Sequence, residues 1–211
     1  ILRVALESFV VPRGAEVLII KLACVPQTGV AEWSDELPEN QQLVTDQDKL
    51  VEIQRTAGNT LINVPELAPF SAMPLYRVEQ TSSRIEEGDN FTGLSPTFLE
   101  NNFLYVELNE VGDITRIFDK INRREVLPMG AVANQFLAFE DRPIDPDAWD
   151  IDIFYDDKCW FSEPASSIKA VEEGPLRVTL EIPRRILHSD YVQRISLYHH
   201  APQLMFDTDI N

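Results

Sequence analysis

The feature that most constrains the fold is an alternation of apolar and polar residues with a period of two. Its clearest example is the stretch LRVTLEI, residues 176–182. Successive side chains of a β-strand point to opposite faces, so this pattern predicts a strand with one buried face and one solvated face. No long apolar stripe at helical spacing is present. The sequence therefore predicts an all-β fold.

Turn signals group the predicted strands into antiparallel hairpins. The predicted turns are Ala57-Gly58-Asn59 within residues 49–64, Glu110–Asp113 within residues 103–118, and His188-Ser189-Asp190 within residues 176–199. A strand is also predicted within EVLIIKLAC (16–24) and another at Leu75–Glu79. Because prolines interrupt it, Pro65–Pro74 is predicted to be a loop.

The polar, glycine-containing segment Thr81–Asn90 is the best linker candidate. We therefore predict a small β-sandwich over residues 1–88 and a meander of longer antiparallel strands over residues 89–211. The last strand, LMFDTDIN, has no closing turn, so we expect the second domain to be truncated. The first residues, ILRVALESFVV, are typical of a strand excised from a longer protein.

Composition excludes several classes of function. The net charge is −17, from 35 acidic and 18 basic residues, and such a surface repels nucleic acids and anionic membranes. No run is long enough for a membrane-spanning helix, which predicts a soluble protein. Cys24 and Cys159 belong to no motif, so we predict free thiols in a reducing compartment, the cytoplasm.

The acidic stretch FEDRPIDPDAWDIDIFYDD, residues 139–157, has three interpretations. Its carboxylates are a cation site, an acid–base pair of a glycosidase, or solvated groups on a packed loop. The spacing lacks the glycine and the glutamate of an EF-hand, which favours the packed loop. Trp149 and Trp160 flank the stretch, and they are either buried structural residues or a surface on which a sugar ring stacks.

The histidines His188, His199 and His200 do not predict a zinc site. His199 and His200 are adjacent, so in a strand they point to opposite faces and cannot both bind one ion. A surface or turn position is expected for them. The sequence contains no nucleophile elbow, phosphate loop or dinucleotide fingerprint, so we expect no self-sufficient catalytic set.

The second half of the chain resembles the β region that follows the catalytic domain in glycoside hydrolase family 38 α-mannosidases, most closely the cytosolic and bacterial branch. The motifs that carry the resemblance occur in a fixed order over residues 99–198. They are Leu99-Glu100-Asn101, Gly112-Asp113-Ile114, Ile117–Lys120, Arg124–Leu127, Ala133-Asn134-Gln135, Phe139–Pro143, Asp147–Asp152, Glu173–Arg177 and Ile195–Tyr198.

The resemblance implies a fold, an activity and a cofactor. The fold is a small β-sandwich followed by part of a large antiparallel supersandwich of the galactose mutarotase type. The activity is that of a retaining α-mannosidase, in which zinc holds sugar hydroxyls and an aspartate is the nucleophile. In the family both belong to an N-terminal α/β domain, so no catalytic residue or metal ligand is assigned here. The isolated chain is expected neither to cleave mannosides nor to need zinc for folding.

The resemblance also implies that this region packs against the catalytic domain and lines the sugar pocket. The first candidate for substrate contact is Asn134-Gln135-Phe136, where another branch of the family places a tyrosine. The second candidate is the group Asp147, Trp149 and Asp150, although Pro146 replaces the aromatic residue usual before this motif. Two rival hypotheses are a stand-alone carbohydrate-binding module and a structural domain whose acidic face binds a basic partner.

Overall fold

The computed structural model describes residues 11–22, 24, 25, 27–79, 93–142, 151 and 153–211. The chain forms two compact units, Ile1–Asn90 with Gly174–Leu176, and Phe91–Glu173 with Arg177–Asn211. The predicted boundary between residues 88 and 89 and the predicted linker Thr81–Asn90 lie outside the described residues. No helix in the described part of the chain is long and apolar enough to cross a membrane.

The first unit contains two three-stranded antiparallel sheets. Its strands are β1 (Val17–Ile20), β2 (Gln27–Trp33), β3 (Gln41–Thr45), β4 (Ile53–Arg55), β5 (Thr60–Leu67) and β6 (Ala72–Glu79). The strand orders are β1-β6-β3 and β2-β5-β4. The apolar side chains buried in the core of this unit include Leu37, Leu43, Ile62 and Leu75. The predicted hairpin is confirmed, since Ile53 pairs with Ile62 across β4 and β5.

The prediction of a loop over Pro65–Pro74 is wrong, because both prolines belong to strands. Pro65 lies in β5 and Pro74 in β6, which leaves only residues 68–71 between the strands. Each proline lies where one neighbouring strand has already ended. The pairing of β4 with β5 stops at Ile62, and the pairing of β3 with β6 stops at Leu75. A missing N–H group is tolerated there because no partner needs it.

The second unit contains a five-stranded sheet, a four-stranded sheet and a two-stranded ribbon. Its strands are β7 (Gly93–Ser95), β8 (Phe98–Glu100), β9 (Leu104–Leu108), β10 (Ile114–Asp119), β11 (Arg124–Glu125), β12 (Leu137–Phe139), β13 (Cys159–Phe161), β14 (Lys169–Glu172), β15 (Arg177–Ile186), β16 (Ser189–Tyr198) and β17 (Leu204–Ile210). A 3-10 helix, Ile153–Asp157, precedes β13. The sheet orders are β11-β10-β9-β8-β7, β12-β13 and β14-β15-β16-β17.

Apolar side chains from the two larger sheets form the core of the second unit. They are Leu99, Leu104, Val106, Leu108 and Ile114 on one side and Val178, Leu180, Ile182, Ile195 and Leu197 on the other. The alternation predicted for β15 is therefore confirmed on its apolar face. The polar face is less solvated than predicted, because Thr179 is buried and its hydroxyl bonds to Glu172 and Ser196.

The turn between β15 and β16 differs slightly from the prediction. Ile186 pairs with Ser189, so the turn consists of Leu187 and His188, with Leu187 at a φ of 54°. His199 and His200 follow β16 in a turn, as predicted, and His200 is exposed. His199 is buried, which the sequence did not indicate. Both cysteines are free, as predicted.

Candidate functional site

The segment Asn134–Phe136 lies where the apolar core of the second unit gives way to polar side chains. The inward-facing row of β15 continues from Ile182 to Arg184, and that of β16 continues from Ile195 to Gln193 and Tyr191. Ala133, just before the segment, forms a β-bridge with Ile114. Strand β12 begins directly after the segment.

Asn134 is held by a reciprocal pair of side-chain hydrogen bonds. Its Nδ2 donates to Oε1 of Gln193 at 2.6 Å, and Nε2 of Gln193 donates to Oδ1 of Asn134 at 3.2 Å. Gln193 is 4% exposed and also donates to the hydroxyl of Thr208 at 3.3 Å. Asn134 has a φ of 63°, a left-handed conformation that asparagine tolerates better than most residues. The amide pair thus holds a sharp turn against β16.

Gln135 is exposed, but its side chain is connected to a buried ion pair. Its Nε2 donates to Oδ2 of Asp113 at 2.9 Å. Oδ1 of the same carboxylate accepts a hydrogen bond from Nη2 of Arg184 at 2.6 Å, and Nη2 also donates to the carbonyl of Val111. The side chains of Arg184 and Asp113 are only 4% and 9% exposed. Gln135 is therefore an exposed residue whose side-chain amide is oriented by a buried ion pair.

Phe136 contacts the buried ring of Tyr191, with ring centroids 4.6 Å apart. The tyrosine hydroxyl lies 2.7 Å from Oγ of Ser162, and the backbone N–H of Ser162 donates to the carbonyl of Phe136 at 3.0 Å. A second backbone hydrogen bond joins Glu163 N to Arg185 O at 2.8 Å. These contacts hold one end of the ribbon formed by β12 and β13, the end where Leu137 pairs with Phe161, on the four-stranded sheet.

Glu140, the residue directly after β12, has a lowered pKa. A hydrogen bond from Lys158 lowers the pKa of Glu140, and a second from Arg142 lowers it further. The distances to Oε1 of Glu140 are 3.2 Å from Lys158 Nζ and 2.9 Å from Arg142 Nη2. Lys158 Nζ also lies 4.8 Å from the ring centroid of Trp160. That half-buried ring therefore already has a cation on its face.

The structure describes only part of the second candidate group and of the acidic stretch. Asp147, Trp149 and Asp150 lie outside the described residues, as do Asp145 and Asp152. Asp156 and Asp157 are exposed on the 3-10 helix. Among the described residues, no three His, Cys, Asp or Glu side chains are grouped closely enough to hold a metal ion.

The arrangement around Asn134–Phe136 is suited to orienting a polar ligand. The amides of Asn134, Gln135 and Gln193 and the hydroxyl of Tyr191 can donate and accept hydrogen bonds. Both oxygens of the Asp113 carboxylate already have partners. Such groups position sugar hydroxyls without transferring protons. The sequence did not identify the supporting residues Asp113, Arg184 and Gln193. For Arg184 and Gln193 the signal was a polar residue at an inward position of an otherwise apolar strand, whereas Asp113, in the turn before β10, carried no such signal.

More than half of the chain matches a known protein family. The family described as glycosyl hydrolases family 38 C-terminal domain matches residues 99–211. Alpha-mannosidase 2C1 of Homo sapiens is 28% identical over 159 residues, which is 72% of this chain and 15% of that protein. Alpha-mannosidase G of Dictyostelium discoideum is 27% identical over 124 residues, which is 54% of this chain and 11% of that protein. The chain thus spans a small part of both relatives.

Solved structures with the same fold include two from Enterococcus faecalis. A crystal structure of an alpha-mannosidase from Enterococcus faecalis V583 aligns with a TM-score of 0.62 at 12% identity, covering 92% of this chain and 29% of that one. A protein of glycosyl hydrolase family 38 from Enterococcus faecalis aligns with a TM-score of 0.61 at 14% identity, covering 95% and 32%. These alignments and the observed sheets confirm the predicted all-β fold.

Proposed function

The chain belongs to the glycosyl hydrolase family 38 C-terminal domain family, and from this premise we propose that it is the non-catalytic β region of a longer retaining α-mannosidase. The full-length protein hydrolyses terminal α-D-mannosides. The observation that carries the proposal is the family match over residues 99–211, because it includes the whole anchored segment Asn134–Phe136. Both curated relatives described above are also named alpha-mannosidases.

The role proposed for this chain is to support the catalytic domain and to line the sugar pocket. Asn134, Gln135 and Phe136 are the first candidates for substrate contact. The amide pair with Gln193 and the contact with Tyr191 support this role, because binding groups must be held rigidly to orient a ligand. Asp147, Trp149 and Asp150 are proposed as a second group at the rim.

The zinc ion and the nucleophile are assigned to the N-terminal catalytic domain of the same polypeptide. The described residues of this chain do not offer a metal-binding set that would fit zinc. Zinc would hold and polarise sugar hydroxyls in the catalytic domain, and this chain would orient the sugar there. We propose a cytoplasmic location, which the two free cysteines support, and a charge of −17 argues against nucleic-acid and membrane partners.

A comparison of two polypeptides tests this function. The full-length protein and residues 1–211 are each assayed with an aryl α-mannoside, with and without a zinc chelator. The full-length protein is expected to release the aryl group, and the chelator is expected to abolish this activity. Residues 1–211 are expected to show no turnover, and their melting temperature is expected to be unaffected by the chelator. Zinc-dependent turnover by residues 1–211 alone would contradict the proposal.

The pocket-lining role is tested separately in the full-length protein. Gln135→Ala removes the side-chain amide that Asp113 orients, so KM for the mannoside is expected to rise about tenfold if one oriented hydrogen bond to the sugar is lost. Gln203→Ala, at another exposed glutamine of the second unit, is the matched control and is expected to leave KM unchanged. Mannose-induced quenching of Trp fluorescence in residues 1–211 would instead favour a stand-alone carbohydrate-binding module.

A further inference from the structure

One face of the β12–β13 ribbon carries apolar side chains that are open to solvent. Leu137 and Phe161 are cross-strand partners, so their side chains lie on the same face. Phe139 follows two residues after Leu137 and shares that face, and its ring contacts the ring of Tyr155 at 5.4 Å. We call Leu137, Phe139, Tyr155 and Phe161 the ribbon surface. Their exposed fractions are 42%, 42%, 41% and 65%.

The ribbon surface is unusual for a solvated face. Three of its four side chains are aromatic, and only the hydroxyl of Tyr155 is polar. The opposite face carries Ala138 and Trp160, both half-buried, so both faces of the ribbon are apolar and the more exposed face is the one that carries Leu137, Phe139 and Phe161. Contiguous exposed apolar side chains mark surfaces that bind another protein. A ribbon of two strands is also only marginally stable by itself, and it gains from being covered.

We propose that the ribbon surface is where the N-terminal catalytic domain of the same polypeptide docks. This inference rests on the proposed function and names the contact through which that function operates. The first reason is continuity, because β12 begins immediately after Phe136, and a domain that shares a sugar pocket with Asn134–Phe136 reaches the ribbon next.

The second reason is length. The matched part covers only 15% of alpha-mannosidase 2C1 and 29% of the alpha-mannosidase structure from Enterococcus faecalis. A full-length relative therefore supplies ample polypeptide to cover a surface of this size.

The third reason is charge. Exposed Asp156 and Asp157 follow Tyr155 in the chain, the nearby cations Lys158 and Arg142 are paired with Glu140, and the protein has a net charge of −17. The surface therefore suits an apolar partner with basic residues around its edge.

The ribbon surface is less suited to a sugar. Sugar sites combine an aromatic face with several converging hydrogen-bonding groups. The Tyr155 hydroxyl is the one polar group contributed by the four side chains. Polar groups that could orient a sugar are instead found at Asn134 and Gln135. The ribbon surface and the proposed pocket are therefore adjacent parts with different tasks.

Hydroxyl-radical footprinting of residues 1–211 and of the full-length protein tests the docking surface. The oxidation rates of Phe139, Tyr155 and Phe161 are expected to fall about fivefold or more in the full-length protein, because the centre of an interface is desolvated. Ile121 is the matched control, since it is 65% exposed, like Phe161, but lies in the turn after β10. Its rate is expected to stay the same in both proteins. Equal oxidation of the ribbon in both proteins would overturn the proposal.

The remaining outcomes separate this inference from the proposed function. If the full-length protein hydrolyses mannosides but its ribbon is not protected, the proposed function is supported and the docking surface is rejected. If the ribbon is protected in a full-length protein that has no mannosidase activity, the docking surface is supported and the proposed function is rejected. Protection of residues 1–211 that increases with protein concentration would show a second copy on the ribbon, and would overturn the proposal. In the full-length protein, Phe161→Ser is expected to restore oxidation of Phe139, whereas Ile121→Ser is not.

Discussion

The side-chain amides of Asn134 and Gln193, 59 residues apart in sequence, exchange two hydrogen bonds of 2.6 and 3.2 Å. Gln193 faces inward on β16, in the same row as the core residues Ile195 and Leu197. A polar group at such a position is costly unless it has a partner. Asn134 supplies that partner, and the same pair fixes the place of the proposed substrate-contacting segment.

Asn134→Ala is expected to lower the free energy of unfolding by about 2–4 kcal/mol, because it removes the donor to Oε1 of the buried Gln193 amide and puts a less tolerant residue at positive φ. Asn134→Gly loses the amide pair but adopts positive φ freely, so it is expected to be about 1 kcal/mol less destabilising than Asn134→Ala. Urea denaturation monitored by Trp fluorescence measures both. Wild-type stability in Asn134→Ala would show that the amide pair is energetically unimportant.

Asp113→Ala is expected to destabilise the second unit by about 3–5 kcal/mol, because it leaves the buried guanidinium of Arg184 uncompensated. The control is Asp190→Ala, since Asp190 and Arg185 form an exposed pair at 3.8 Å, and its loss is expected to cost less than about 1 kcal/mol. Asp113→Leu combined with Arg184→Met is expected to recover part of the loss, because no charge remains buried. Similar unfolding midpoints for Asp113→Ala and Asp190→Ala would refute this prediction.

The ribbon is expected to loosen on acidification. Hydrogen bonds from Lys158 and Arg142 lower the pKa of Glu140 below its ordinary value of 4.5. The stabilisation that ionised Glu140 gives to the ribbon is therefore fully present above pH 4.5, and it is lost as the pH falls through the lowered pKa of the folded state. Amide hydrogen exchange at Leu137–Phe139, corrected for intrinsic rates, is expected to accelerate between neutral pH and acid. Glu140→Gln is expected to lack most of this acceleration, and an unchanged pH profile in that variant would contradict the assignment.

Tyr191→Phe and Ser162→Ala are expected to interact energetically. The two hydroxyls lie 2.7 Å apart and connect the ribbon to β16. A double-mutant cycle is expected to give a coupling free energy of about 1 kcal/mol, the usual net contribution of one hydrogen bond. The coupling is measured from the unfolding of the two single variants and the double variant. Additive effects would place the anchoring in the ring contact between Phe136 and Tyr191 instead.

Secondary structure was predictable where the local sequence decides it. The hairpin of β9 and β10 and the apolar face of β15 follow from alternation and turn residues alone. Pro65 and Pro74 were misinterpreted because a proline is allowed or forbidden in a strand according to where the neighbouring strands end. That information depends on sheet pairing. Buried His199 was missed for a similar reason, since only packing decides which side of a turn is covered.

The candidate site was only partly predictable. Asn134, Gln135 and Phe136 were selected by resemblance to a family. Their supporting residues lie elsewhere in the sequence, Asp113 in the turn before β10 and Gln193 in β16. A polar residue in an inward row signals that a partner exists, but it does not identify the partner.

The amino-acid sequence by itself determined that the protein is all-β, where most hairpins turn, and which family it belongs to, because these depend on short-range periodicity and ordered motifs. Only the tertiary structure decided that Asn134 meets Gln193, that Gln135 reaches Asp113, and that the ribbon turns its aromatic face to solvent. Such contacts join segments whose separation along the chain carries no information about distance in space. Burial then decides their energy, since a polar pair withdrawn from water is strong and the same pair at the surface is weak.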